Sequence, residues 1–376
     1  METKHFTKKS AIISSIAILA VIAVLSAMLG GCSKKDTSSD KTSSTQTNST
    51  QTDATQNVGE ISVPVWSGNV AENFAAGDGT AENPYQIANA EQLALLGKYI
   101  NENNEAYNKA HYILTEDIYL NDVSEPDWYE EKNNPKEWTH GIMADWNYLF
   151  GGTFNGDFHT VKGIYLSVEE KPEDIKEKFM GLFPGLNGGA VIENLGIESS
   201  YMKTAYAKEN SNKQTVYGCV GAIAGLKRNY PVINNPNTKD ITISKCYVAD
   251  TVIIESVGEA GGFIGRMYDE PYVIMENCYS AAKVVGVPAG AFVGLGKRIK
   301  TQNCYNARND ISLIGAGSIT PDSTNNYNAG LNSNVESYLD VKKMTGLKAS
   351  ENMKGFDFDT VWEAVDGATP KLRGFN

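Results

Sequence analysis

From residue 181 onward the apolar positions follow a two-part rhythm. A glycine frame around a large apolar residue appears as "GLFPG" at 181–185, "GAIAG" at 221–225, "GGFIG" at 261–265 and "GAFVG" at 290–294. After a variable stretch each is followed by a short companion: "IENLGIES", "ISKCYVAD", "MENCYSAA" and "TQNCYNAR". Within the companions, Ile192, Ile243, Met275 and Thr301 precede Leu195, Cys246, Cys278 and Cys304 by three positions. Ile197, Val248, Ser280 and Asn306 follow two positions later. A spacing of two places side chains on one face of a strand, and a spacing of three requires a corner between inward positions. Asn194, Lys245, Asn277 and Asn303 stand at that corner, and asparagine tolerates the left-handed backbone a tight corner demands. The glycine frames mark a second tight or closely packed place. Short strands, sharp corners and a period of roughly 25–50 residues predict a solenoid of stacked strands, rungs ~4.8 Å apart. Equivalent positions then stack. Cys246, Cys278 and Cys304 form an interior column, and Tyr247, Tyr279 and Tyr305 form an outward-facing ladder.

The G-x-[IF]-x-G frame followed by I-x-N-C-Y resembles the GLUG repeat of bacterial surface proteins, adhesins and some secreted peptidases, over residues 181 to about 307. The chain departs from that pattern at Leu195, Lys245 and Gly196. Upstream, "GDGTAENPYQIANAEQLALLGKYIN" and "FGGTFNGDFHTVKGIYL" resemble segments that precede such repeats. The resemblance implies an all-β, right-handed parallel β-helix, here expected over residues 112–310.

An open solenoid needs caps at both ends. In "NAEQLALLGKYINE", Asn89 is a candidate N-cap with Gln92 three residues on, and Leu93, Leu95, Leu96 and Ile100 form an apolar stripe. This predicts a helical cap over the first coil within residues 61–111. After Cys304 the repeat fades, and Phe356, Phe358 and Trp362 suit a mixed α/β terminal lid over residues 311–376, with Trp362 in its core.

The amino end has another character. Lys4, Lys8 and Lys9 precede an apolar run over residues 11–29, the layout of an export signal or a membrane anchor. Leu29, Gly30, Gly31 and Cys32 resemble a bacterial lipobox, which implies a leader over residues 1–31 and lipid attachment at Cys32. Residues 32–60 are rich in serine and threonine and too poor in apolar side chains to order themselves, so they read as a flexible tether. The implied location is extracytoplasmic, anchored by the lipid to a bacterial membrane at the cell surface.

Charge and chemistry narrow the function. The chain of 376 residues has a net charge of −12, and no basic stripe, so nucleic acid is disfavoured as a partner. Four cysteines besides Cys32 could pair in an exported protein, yet three share one interior face, where buried free thiols fit better. No C-x-x-C, H-E-x-x-H or G-x-S-x-G occurs, so neither a zinc site, a metallopeptidase nor a nucleophile elbow is predicted. Asp78 in "GDGTAENP" reads as a glycine-rich turn in preference to a calcium loop. No metal, cofactor or catalytic residue is assigned.

Aromatic side chains carry the remaining signal. Trp128, Tyr129, Trp138, Trp146 and Tyr148 crowd an acidic insertion at 124–150. Trp138 and Trp146 are expected to pin the insertion onto the coil, leaving Trp128 and Tyr129 freer to stack against sugar rings. Tyr247, Tyr279 and Tyr305 are candidates for the same role, although a stacked ladder also stabilises strands without a ligand. The sequence thus points to a non-catalytic binding or adhesion module for an extended polysaccharide or glycoprotein. A β-helix polysaccharide lyase or glycoside hydrolase, and a structural spacer without ligand, are the alternatives.

Overall fold

The computed structural model describes residues 64–143, 145, 147–168, 178–205, 207–209, 215–228, 239–268, 271–329 and 337–375. Ile61–Asn376 forms one compact unit. The leader, the tether, Cys32 and Trp146 lie outside the described residues.

The chain winds as a parallel β-helix, and one coil shows the plan. Ala260–Gly261 bends at Gly262 and Phe263 into Ile264–Met267. Val273–Glu276 follows, Asn277 makes a corner, and Tyr279–Ser280 and Lys283–Val285 complete the circuit. Ala289–Gly290 then opens the next coil, with Gly290 in register with Gly261. Between coils the pairing is parallel on every wall. Ile192, Ile243, Met275 and Thr301 lie in one register column. Tyr247, Tyr279 and Tyr305 lie in another.

The corner chemistry follows the asparagines. Asn194, Lys245, Asn277 and Asn303 all have positive φ, between 49° and 53°. Lys245 adopts the same geometry without a side chain suited to it. Carboxamides also bond along the axis, Asn194 Nδ2 donating to Asn155 Oδ1 at 3.0 Å. The glycine frames answer a different need, which is space. A Cβ on Gly261 would sit 1.9 Å from the carbonyl oxygen of Ile264, and one on Gly290 would sit 2.1 Å from that of Val293. Two backbones meet at this bend with no room for a methyl group. The large residue of the frame turns inward instead, and Phe263 stacks on Phe292 at 4.7 Å and 5°.

Inside, Cys246, Cys278 and Cys304 stand in a column of free, fully buried thiols. Each reaches a carbonyl of the preceding coil: Cys278 Sγ lies 3.4 Å from Ile243 O, and Cys304 Sγ 3.4 Å from Met275 O. Burial pushes both of these thiols well above their usual pKa, so they pack as small hydrophobes and are poor nucleophiles.

The parallel ladder extends beyond the span expected from sequence at both ends. Tyr85–Ile87 already pairs with His111–Leu114, which pairs with Thr153–Lys162. At the other end Ile314–Ile319 and Tyr327–Asn328 add another coil, and Ser337–Tyr338 pairs beyond it. Its corner is Asn325, at φ 55°. The helix Ala90–Asn101 forms as expected, with Asn89 Oδ1 accepting from Gln92 N and the Gln92 side chain accepting from Ala88 N. Leu93, Leu96 and Ile100 enter the same core as Ile87, Leu114 and Ile118.

Candidate functional surface: two tyrosine columns

The ladder expected to face outward does leave the coil, but it is covered. Tyr247 and Tyr279 rings lie 5.1 Å apart at 4°, and Tyr279 and Tyr305 lie 5.1 Å apart at 7°, matching the rung spacing. Tyr327 continues the column from the additional coil. Over these rings lies the C-terminal segment. It contains the helix Lys348–Asn352 and a hairpin of Trp362–Glu363 with Lys371–Leu372. Trp362, Phe356, Met344, Met353 and Leu372 share one apolar cluster with the tyrosines. Phe375 meets Tyr247 edge-on at 4.8 Å. The hydroxyls are engaged too. Tyr305 Oη donates to Pro370 O, Tyr327 Oη to Lys354 O, and Tyr247 Oη to the Glu198 carboxylate. Tyr305 has no exposed surface and Tyr247 only 6%. The assignment of Tyr247, Tyr279 and Tyr305 to an external ligand is therefore corrected: the chain itself occupies their faces. A cleft of ≈ 280 Å³ between Glu198, Tyr247 and Asp250 on the coil and Glu363 and Lys371 on the segment marks the margin of this cover.

A second column stays open. Tyr165 opens the strand Tyr165–Val168 and Tyr201 opens Tyr201–Thr204, in register with each other and with Ile253 and Lys283. Tyr129, from the acidic insertion, stacks on Tyr201 at 4.5 Å and 8°, and Tyr201 stands 6.0 Å from Tyr165 at 21°. All three are half-buried. Tyr201 Oη is 3.4 Å from Glu255 Oε2, and Lys283 Nζ is 3.8 Å from the other oxygen of that carboxylate. Burial, then the Glu255 charge, pushes the Tyr201 phenol up to about 12.

Trp128 departs from expectation. It is 7% exposed and meets Tyr129 and Tyr165 edge-on, at 5.9 and 6.4 Å. Trp128 is thus the base that holds Tyr129 in place and presents no free face. Trp138 is the pin that was expected, fully packed with its indole N–H on Leu182 O at 3.1 Å. The partners of Tyr129 were missed in the sequence, although "GIYLSV" and "SSYMKT" hold tyrosine at equal distances after His159 and Leu195, which are register partners.

Charged groups gather beside the covered ladder. Lys162 Nζ lies 3.4 Å from both Asp117 and Glu198, while Asp117 accepts from Thr160 N at 2.9 Å and faces His159 Nδ1 at 3.4 Å. Asp117 is pulled below its usual pKa by the Thr160 backbone N–H and the Lys162 charge, which overcome its partial burial. Asp78 Oδ1 accepts from Thr80 N and Oγ1, so the "GDGTAENP" loop closes as a side-chain turn. Among the described residues no group of three or more His, Cys, Asp and Glu could hold a metal ion. No described helix is long and apolar enough to cross a membrane.

No family model matches the chain. Over 165 residues, 43% of its length, it is 27% identical to a protein of Evansella cellulosilytica provisionally named a Gly-rich membrane protein, and the match spans 15% of that relative. A crystal structure of a provisionally named immunoglobulin A1 protease from Bacteroides ovatus aligns with 81% of this chain and 96% of its own, at 17% identity and a TM-score of 0.39.

Proposed function

We propose that the protein is a bacterial surface lipoprotein, anchored through lipid on Cys32, whose GLUG-type β-helix binds an extended glycan along the open tyrosine wall. The observation that carries this reading is the half-exposed stack of Tyr129, Tyr201 and Tyr165. The exposed edges and hydroxyls of the stacked phenols suit the C–H groups and rim hydroxyls of a pyranose. Registered rows along a solenoid suit a polymer. The name of the Evansella relative agrees with a surface location, and the lipobox-like "LGGC" supplies the attachment. Glycan-array binding that falls at least tenfold in Tyr201→Ala and in Tyr129→Ala, with the melting temperature lowered by no more than a few degrees, supports the reading. An array silent for the intact chain overturns it in favour of a spacer.

The grouping of Asp117, Lys162 and Glu198 favours a second reading, a β-helix lyase or hydrolase, because paired carboxylates and a cation on one wall are what such chemistry needs. Depolymerisation of a glycan panel, lost in Glu198→Gln, would select it.

A further inference from the structure

A polar groove lies apart from the tyrosine columns in composition and in lining. It has a volume of ≈ 530 Å³ and takes in Asn108, Asn147, Asn187, Glu105, Lys109 and Lys239. That volume falls within the roughly 300–1,000 Å³ of small-molecule sites.

We propose that this groove binds an uncharged, hydroxyl-rich sugar unit, with Asn108 as its buried anchor.

Asn108 ends the short helix Glu105–Asn108, and its backbone is fully used, N–H on Asn104 O and carbonyl accepting from Gly151 N. Its side chain is 95% buried, since the residue is 5% exposed, yet its Oδ1 has no hydrogen-bond partner. A buried polar atom without a partner is rare and calls for one. That oxygen is closed to solvent in the free protein, so a small rotation of the carboxamide toward the groove would let a sugar hydroxyl donate to Oδ1. Asn147 brings a second carboxamide to the lining, able to donate and accept at once, which is the pattern that adjacent hydroxyls complement; the Asn187 oxygen already accepts from Gly188 N at 2.9 Å. Gly151, Gly188 and Gly189 also line the groove, so a ring can approach the backbone closely.

Charge selects the class of sugar. Lys109 is paired with Glu105, which leaves Lys239 as the one lining cation without a described ion-pair partner. The chain around it carries a net charge of −12, so a polyanion is repelled at long range. Lysine also donates well to neutral hydroxyls. With no aromatic lining the groove, binding rests on hydrogen bonds and is expected to be weak, roughly millimolar to high micromolar. This inference does not depend on the tyrosine wall.

The test titrates the whole unit from residue 61 with neutral tetrasaccharides of glucose, galactose and mannose, and with the galacturonic acid tetrasaccharide, by calorimetry and chemical-shift mapping. At least one neutral sugar should saturate at one site. Asn108→Leu should weaken it at least tenfold while the thermal melt stays at or above the parent value. Asn147→Ala, a second lining position, keeps the question answerable if the first variant misfolds, and should weaken binding about threefold to tenfold. No neutral sugar binding overturns the proposal, as does preference for the uronate. Binding that survives both asparagine variants but is lost in Tyr201→Ala places the sugar on the tyrosine wall, sinking this inference and sparing that reading.

Discussion

Two tyrosine columns stand on the same coil and have different fates. Tyr247, Tyr279 and Tyr305 stack at rung spacing, with Tyr327 next in register, beneath the C-terminal segment. Tyr165 and Tyr201 stack in register on another wall, capped by Tyr129 from an insertion and half-open to solvent. Repetition alone produces both, because identical residues in register must lie one above another. Whether such a column is structural or receptive depends on what covers it, and the cover comes from outside the repeat. In the first case it brings Trp362 and Phe356, enough apolar surface to make a second core. In the second it brings one ring and a buried tryptophan to support it.

The contrast can be broken most directly at Trp362. Trp362→Ala should destabilise the unit by about 3–5 kcal/mol in urea unfolding, the usual range for a deleted core aromatic. Tyr201→Ala should cost only about 1 kcal/mol, as expected for a partly exposed stacked ring. Equal costs would mean that the two columns do not differ in burial. Truncating the Tyr247 hydroxyl comes next. Tyr247→Phe removes a hydrogen bond to a carboxylate and should cost about 1.5–3 kcal/mol by the same measurement.

Alkaline titration sharpens the comparison without mutation. Tyr247, Tyr279 and Tyr305 in the covered column are held neutral by burial, above the range reached by Tyr201, which is pushed up to about 12. A raised tyrosine pKa means that the folded state keeps a proton the unfolded state gives up. Stability is therefore intact below the ordinary value of 10 and falls as pH rises above it. Phenolate absorbance should show Tyr201 ionising before Tyr247, Tyr279 and Tyr305, which appear only as near-UV dichroism is lost. Simultaneous ionisation would contradict the difference in cover. The smallest expected effect lies at the corner that precedes Tyr247. Lys245→Asn should stabilise the fold by about 0.5–1 kcal/mol, since it relieves a left-handed lysine.

Much of this architecture was legible because the repeat writes local geometry into local letters. Asn194, Asn277 and Asn303 announced their corners, and even Lys245 was located by its place in the pattern. The coil ending in Tyr327 was overlooked because its letters had drifted. Asn326 takes the place of cysteine, Ser323 that of the apolar leader, and its glycine frame begins with Ile311. Tyrosine accessibility was not legible at all. It depends on a segment returning across the wall from far along the chain, Pro370 accepting from Tyr305 across 65 positions. No local pattern encodes such a return. The Asn108 groove escaped for a similar reason, since its lining comes from separate stretches between residues 103 and 239.

The interior changes character toward its far end. Leu195 gives way to three thiols and then to Asn326; Ile192 is followed in turn by Ile243, Met275, Thr301 and Ser323; Ile197 leads to Asn306 and Asn328. These late polar groups bond upward from layer to layer, Asn306 Nδ2 on Asn328 Oδ1 at 2.8 Å and Asn326 Nδ2 on Thr301 O at 3.0 Å. A stack whose cross-section was greasy throughout would offer its last layer as a template for a neighbouring molecule. This one grows more wettable as it nears its finish, which discourages two molecules from joining tip to tip.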